Sequence, residues 1–419
     1  MKSVNCMVAQ SGGPTAAINA SLAGVIQAAA VSGKYQICYG AVNGITGVLS
    51  GKYLDLSEIF KETDRLEKLK NTPAMFLGSS RYKLPDAEKE EEPYRVIFEQ
   101  FQEKNIGAFF LIGGNDSMDT VLKLSDYAGK HGIDIRIIGV PKTIDNDLCC
   151  TDHTPGFGSA AKYIAATILD IAHDTFIYSV KSVTIVELMG RDSGWLTAAS
   201  VLARNAYNDA PHLIYLPEVP FSTEQFLEDV KGQLQVRNNV IVAVSEGIRN
   251  DKGVYLSMEQ PSADTFGHMQ LSGVGKKLEI LVKEKLGVKV RSIEVSVLQR
   301  CAAHLASETD QREAFEQGQH AVALAAEGKT AVMVAVRRLA DQPYRIQYEY
   351  EEIGKIANEV KTVPVEWITE HKNDVKAELL AYLSPLIQGE IELSYQNGLP
   401  DYMDITHLIR ESIPGTQTS

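Results

Sequence analysis

The densest set of chemistry-bearing side chains in this 419-residue sequence is Pro141-Lys142-Thr143-Ile144-Asp145-Asn146-Asp147, which follows the apolar run Ile135–Val140. Two carboxylates two residues apart, with a lysine and a threonine beside them, are more than a turn requires. In a phosphoryl transfer, one carboxylate could accept the proton of an attacking hydroxyl and the other could help organise Mg²⁺, while the lysine neutralises the charge in transit. A charged turn without chemistry is the plainer alternative.

Further candidates sit at the ends of other apolar runs. Ser11-Gly12-Gly13-Pro14-Thr15 reads as a strand end running straight into a helix. Two glycines permit a tight turn with exposed N–H groups, proline suits a first helical turn, and a helix N-terminus favours an anion. The spacing is neither G-x-G-x-x-G nor Walker A, and packing alone can call for such a turn. Gly113-Gly114-Asn115-Asp116-Ser117 repeats the design, with Ser117 placed to cap the next helix. A carboxylate on a phosphate cradle repels the anion unless it carries a metal or selects which anion fits; an Asn-Asp turn with a serine cap explains it equally. In Glu187-Leu188-Met189-Gly190-Arg191-Asp192-Ser193-Gly194, Arg191 could grip a phosphate or sugar hydroxyl through a forked pair of hydrogen bonds, or form a surface ion pair. Ser245-Glu246-Gly247 offers another carboxylate, and Arg291 and Arg300 flank a strand read over Ser292–Leu298. Together these residues describe a site for phosphorylated, hydroxylated small molecules.

The elements that must position them alternate. Strand-length apolar runs at Val4–Ala9, Gln36–Val42, Ala108–Ile112, Ile135–Val140, Val183–Leu188, His212–Leu216 and Val240–Val244 are interleaved with helical spacing. The helical stretches are Ala16–Val31, Pro93–Lys104, Ser117–Tyr127, Ser159–Ala172, Thr223–Val236 and Val274–Leu286. Such alternation predicts an α/β fold of parallel sheets wound on both faces, with ligands outside the carboxyl ends of the strands. Thr330–Arg337 and Tyr344–Tyr350 predict an antiparallel hairpin, Asp374–Leu383 a last helix, and the charged run Asp86–Glu92 a solvated segment.

With 41 Lys+Arg against 54 Asp+Glu, the net charge of −13 disfavours nucleic acid and anionic membranes as partners. No run approaches the roughly 20 apolar residues of a membrane span, and Met1–Gln10 holds no signal-peptide core, so a cytoplasmic location is expected. The cysteines Cys6, Cys38, Cys149, Cys150 and Cys301 have no C-x-x-C spacing and are expected to be reduced and mostly buried, without a zinc or redox role.

Taken in order, the strand-end motifs resemble the phosphofructokinase family from Val4 to about Tyr350. Ser11-Gly12-Gly13, Gly78-Ser79-Ser80-Arg81, Gly113-Gly114-Asn115-Asp116-Ser117, the Thr143-Ile144-Asp145-Asn146-Asp147 block, Met189-Gly190-Arg191, Ser245-Glu246-Gly247 and Leu298-Gln299-Arg300 carry the resemblance. It implies two doubly wound, largely parallel-sheet, Rossmann-like domains with the active site between them. Residues 1–148, rejoined by about 300–385, would form the phosphoryl-donor domain, 149–299 the sugar-phosphate domain, and 386–419 a C-terminal tail. Within the family the likeness is to the pyrophosphate-dependent branch, because ATP-using relatives carry glycine at the positions of Asp116 and Lys142. Asp116 would obstruct the α-phosphate of ATP, and Lys142 would supply a cation to pyrophosphate.

The resemblance implies that Asp145 is the general base for the C1 hydroxyl of fructose 6-phosphate, with Lys142, Thr143 and Asp147 lining the same step. Gly12, Arg81, Gly113 and Gly114 would hold pyrophosphate. Thr143, Asp145, Met189, Gly190, Arg191, Glu246 and Arg300 would hold the sugar phosphate, and Arg291 would be lent to a neighbouring subunit, implying a homodimer or homotetramer with shared sites. Mg²⁺ is the implied cofactor. Three departures stand out: Asn115 replaces a metal-binding aspartate, Val297 replaces a phosphate-binding histidine, and Ser182, next to Lys181, replaces an inter-subunit arginine. The alternatives are an ATP-dependent kinase of the same fold, sedoheptulose 7-phosphate as an additional substrate, and a sensor that binds sugar phosphate without catalysis.

Overall fold

The computed structural model describes residues 4–80, 82–257, 273–405 and 409. The strands are β1 Val4–Gln10, β2 Tyr35–Ala41, β3 Tyr53–Asp55, β4 Ile106–Gly113, β5 Arg136–Pro141, β6 Ser182–Leu188, β7 Leu213–Tyr215, β8 Asn239–Ser245, β9 Lys289–Glu294, β10 Val332–Asp341 and β11 Tyr344–Glu352. A short pair, β12 Tyr395–Gln396 and β13 Leu399–Pro400, lies near the C-terminal end.

Two principal sheets result. The first is ordered β11-β10-β5-β4-β1-β2-β3 and the second β7-β8-β6-β9. In the first, β2, β1, β4 and β5 run parallel, and β10 joins β5 in parallel through Val332 and Met333 before turning back into antiparallel β11. The second sheet is parallel throughout. Strand β4 explains the arrangement: Phe109, Phe110, Leu111 and Ile112 are all buried, as expected where helices cover both faces. Period-2 alternation divides β1, with Cys6 and Val8 packing beside Ile18 and Leu22 on one face and Met7 and Ala9 beside Phe98 and Phe101 on the other. The second sheet is likewise sandwiched, with Val186 and Leu188 toward Phe157 and Ile164, and Val183 and Ile185 toward Phe226 and Leu278.

A 19-residue helix, Glu308–Ala326, was not expected from periodicity. Its first half buries Asp310, Gln311, Glu313 and Gln317 and its second half Ala321, Val322, Leu324 and Ala325, so the face it turns inward is polar at its start and apolar at its end. It crosses the helix Ile18–Val31 closely: a Cβ on Gly24 would lie 2.0 Å from the Phe315 carbonyl oxygen, and one on Gly318 would lie 2.1 Å from that of Ser21.

Five expectations are corrected. The run after β9 is not strand to Leu298: pairing stops at Glu294, Ser296 takes a φ of +45°, and Ser296–Arg300 coils as a 3-10 turn. The segment after β1 does not run straight into a helix, which begins only at Ile18. Ser117 is not a cap, because the helix Asn115–His131 already includes it and Gly114 occupies the cap position. Only Cys6 and Cys38 are buried, whereas Cys150 and Cys301 are exposed; all five are free thiols. The last helix spans Ala377–Leu383, three residues shorter at its start than its sequence pattern suggests. Among the described residues no helix is long and apolar enough to cross a membrane.

Candidate active site

Loops leaving the carboxyl ends of β1, β4, β5 and β6 converge on a cavity of about 700 Å³. Gly12, Gly114, Asn115 and Asp116 line it from the first sheet's glycine turns; Lys142, Thr143, Asp145 and Asp147 line it from the loop after β5. Arg191 and Arg300 close it from the second sheet's side.

Lys142 ties these loops together. Its N–H donates to the Gly113 carbonyl at 2.9 Å, and its ammonium crosses to the Gly13 carbonyl at 2.8 Å. A side chain at Gly12, where φ is +81°, would meet that ammonium at 3.1 Å, so glycine is needed both for the turn and for the approach. Burial pulls the Lys142 pKa down to about 8, although Asp145 and Asp147 favour its charged form. The Arg300 guanidinium stands equally close to Gly13, 3.1 Å from where a Cβ would be, so two cations face one glycine turn.

The Asp145 backbone is held on both sides. Its N–H donates to Thr143 Oγ1 at 3.1 Å and its carbonyl accepts from Ser193 Oγ at 3.1 Å. Its carboxylate accepts no hydrogen bond from the described residues; burial, and secondarily the neighbouring Asp147 carboxylate, raise its pKa. A base pinned by its backbone with a raised proton affinity suits removal of a hydroxyl proton. Burial also raises Asp147, whose Oδ1 is buried without a hydrogen-bond partner.

The other expected residues take varied places. Gly113 is buried, and a Cβ there would overlap Ser117 Oγ at 1.9 Å, so this glycine makes room for the helix start. Asn115 clamps a distant loop: its Oδ1 accepts from Asn358 N at 2.7 Å and its Nδ2 donates to the Glu359 carbonyl at 2.5 Å. Gly190, with φ +128°, donates to Glu246 Oε1 at 3.2 Å, and Met189 N donates to Gln299 Oε1 at 3.4 Å. Burial raises Glu246 to about 7, with Asp145 contributing. Met189, Gly190 and Glu246 thus support the loop that presents Arg191, whose Nε pairs with Asp192 at 2.9 Å.

Arg291 lies elsewhere, exposed on edge strand β9, where it contacts Asp174, Thr175 and Thr184. Arg81 falls outside the described residues. Ser182 Oγ accepts from Asn239, Lys181 Nζ is bound to the Leu234 carbonyl at 2.7 Å, and Val297 is exposed.

Sequence reasoning did not single out Lys83, Asn358 or Val360, which also line the cavity. Lys83 stands two residues after the Gly78–Arg81 motif, the one local signal for it; Asn358 and Val360 come from a stretch with no motif. Among the described residues no group of three or more His, Cys, Asp or Glu could hold a metal. The orphaned Asp147 oxygen nevertheless fits Mg²⁺, which is commonly held by one or two carboxylates together with substrate phosphates.

The phosphofructokinase family model matches residues 5–325. The chain is 39% identical over 414 residues to a protein of Halomonas elongata named pyrophosphate–fructose 6-phosphate 1-phosphotransferase, covering 98% of each. It is 38% identical to a protein of the same name from Methylococcus capsulatus, covering 97% of each. The crystal structure of a pyrophosphate-dependent phosphofructokinase from Nitrosospira multiformis superposes with a TM-score of 0.87 at 38% identity, covering 96% of both chains.

Proposed function

The chain belongs to the phosphofructokinase family, and from that premise we propose that it transfers a phosphoryl group from pyrophosphate to the C1 hydroxyl of fructose 6-phosphate, reversibly, giving fructose 1,6-bisphosphate and phosphate. The observation that carries this reading is the convergence of Lys142, Asp145, Asp116, Arg191 and Arg300 on one cavity. The similarity to enzymes named for this reaction supports it.

Asp145 takes the C1 hydroxyl proton as the oxygen attacks the near phosphorus of pyrophosphate, and phosphate departs from the far side. Lys142, held in place by Gly13, neutralises charge on the group in transit. Gly12 and Gly114 offer backbone beside the donor, and Asp116 fills space that a nucleotide's α-phosphate would need. Arg191 and Arg300 bind the sugar phosphate from the opposite wall. Asp147 would hold Mg²⁺, with Asn115 able to add a remaining oxygen lone pair; the ion supplies charge neutralisation on pyrophosphate.

Arg291, exposed and remote from this chain's own cavity, serves a neighbouring subunit in a homodimer or homotetramer. A cytoplasmic location accords with the five free thiols. Formation of fructose 1,6-bisphosphate from pyrophosphate and fructose 6-phosphate by the purified protein, and its phosphate-dependent reversal, tests the reading. No product in either direction overturns it.

A further inference from the structure

The segment 356–363 crosses behind the Asp145 loop, outside the stretch matched by the family model. From it Lys361 turns inward. Its ammonium donates to Asn146 Oδ1 at 3.2 Å and to the carbonyls of Thr151 at 3.1 Å and Asp152 at 2.8 Å, which uses all three of its protons. Its backbone N–H donates to the Asp147 carbonyl at 2.8 Å, and its own carbonyl accepts from Trp195 Nε1 at 3.1 Å.

Asn146 is the recipient that matters. It stands between Asp145 and Asp147, is fully buried, and has a φ of +53°. Asparagine enters this left-handed region more readily than other non-glycine residues, so its side-chain partners must fix how the loop around it is held. Here they do: Lys361 holds the amide oxygen, while the amide nitrogen donates to Tyr382 Oη at 2.9 Å. Tyr382 Oη in turn donates to the Asp152 carbonyl at 2.6 Å. Both ends of one amide are therefore gripped by residues that line no part of the cavity.

Resting on the phosphotransferase reading above, we propose that Lys361 and Tyr382 are positioning residues for the transfer step, holding the Asn146 amide so that the flanking Asp145 and Asp147 present their carboxylates to donor and acceptor. Without the Lys361 ammonium, Asn146 Oδ1 and the Thr151 carbonyl lose their donor and the Asp152 carbonyl keeps only Tyr382 Oη, so the loop is free to rotate Asp145 out of line. Neither residue touches substrate in this arrangement, so their loss acts on turnover and leaves binding largely intact.

The test compares Lys361→Met, Tyr382→Phe and the double variant with the unmodified protein. Measurements are steady-state kinetics with pyrophosphate and fructose 6-phosphate, thermal unfolding, and peptide-resolved hydrogen exchange over residues 143–152. The expected result is a loss in kcat of about 10-fold for Tyr382→Phe and about 100-fold for Lys361→Met, with both KM values within about threefold. Because both act through one amide, the double variant should be no worse than Lys361→Met by more than about twofold. Unchanged kcat in the single variants, or losses that multiply in the double, overturns the proposal. If Lys361→Met does not fold, Tyr382→Phe decides alone by the same criterion. If the unmodified protein makes no product, the phosphotransferase reading fails, and exchange judges the clamp by itself: lost protection across 143–152 upholds it, unchanged protection overturns it.

Discussion

The Lys142 ammonium donates to the carbonyl oxygen of Gly13 at 2.8 Å, joining the loop after β5 to the glycine turn after β1. This one bond places a cation over the turn proposed to cradle the donor and ties that turn to the loop that carries Asp145. It also requires Gly12 to lack a side chain, since a Cβ there would press on the same ammonium.

Donor choice should follow from Lys142 and Asp116 together. The double change Asp116→Gly, Lys142→Gly removes the carboxylate proposed to fill the α-phosphate space and the cation proposed to serve pyrophosphate. The expected outcome is a fall in pyrophosphate turnover of about 100-fold or more with a gain in the ratio of ATP to pyrophosphate kcat/KM. An unaltered ratio in parallel kinetics refutes this account of the two residues.

Asp145→Asn preserves shape and removes the proposed base. Turnover should drop by about 10²- to 10⁴-fold, while calorimetric affinity for fructose 6-phosphate stays within a few-fold. Retained turnover would take Asp145 out of the base role.

His153 sets a pH dependence of stability. Its ring lies between Asp152 Oδ2, 2.8 Å from Nδ1, and Glu313 Oε2, on Nε2. Burial opposes its charge, but Glu313 and Asp152 outweigh that and raise it from an ordinary 6.5 to about 9. A raised folded-state value means that the imidazolium contributes stability fully below about pH 6.5 and loses it as pH rises through about 9. The unfolding free energy of the unmodified protein minus that of His153→Gln should therefore be largest near pH 6 and shrink toward pH 10. A difference that stays flat or grows contradicts it.

Gly24→Ala probes the helix crossing. The added methyl would sit 2.0 Å from the Phe315 carbonyl, so the helices Ile18–Val31 and Glu308–Ala326 must separate. A loss of about 1–3 kcal/mol in denaturant unfolding is expected; unchanged stability would show that the crossing adapts.

The strand-end chemistry was legible in the sequence because each piece is local: a buried apolar run followed at once by glycines or charges. Lys142, Asp145 and Asp147 could be found within seven residues. The partners that hold them could not, because Lys361 stands alone in an unremarkable stretch and Tyr382 on a short helix over 230 residues from Asn146. The helix Glu308–Ala326 escaped periodicity for a related reason: its buried Asp310 accepts from the amides of Gly156 and Ser159 at 2.9 and 3.0 Å, so burial there follows polar partners and not hydrophobic spacing. The turn Ser296–Arg300 was misread as strand because Val297 and Leu298 are apolar, yet both are half-exposed, at 50% and 54%. Side chains whose partners are distant in sequence carry no local mark.

The reading stands or falls on pyrophosphate as the donor. Initial rates of fructose 1,6-bisphosphate formation, measured side by side with saturating pyrophosphate and with saturating ATP in Mg²⁺ buffer, test it most directly. Rapid turnover with pyrophosphate is expected, with a rate from ATP lower by about 100-fold or more; robust ATP turnover with none from pyrophosphate refutes the assignment.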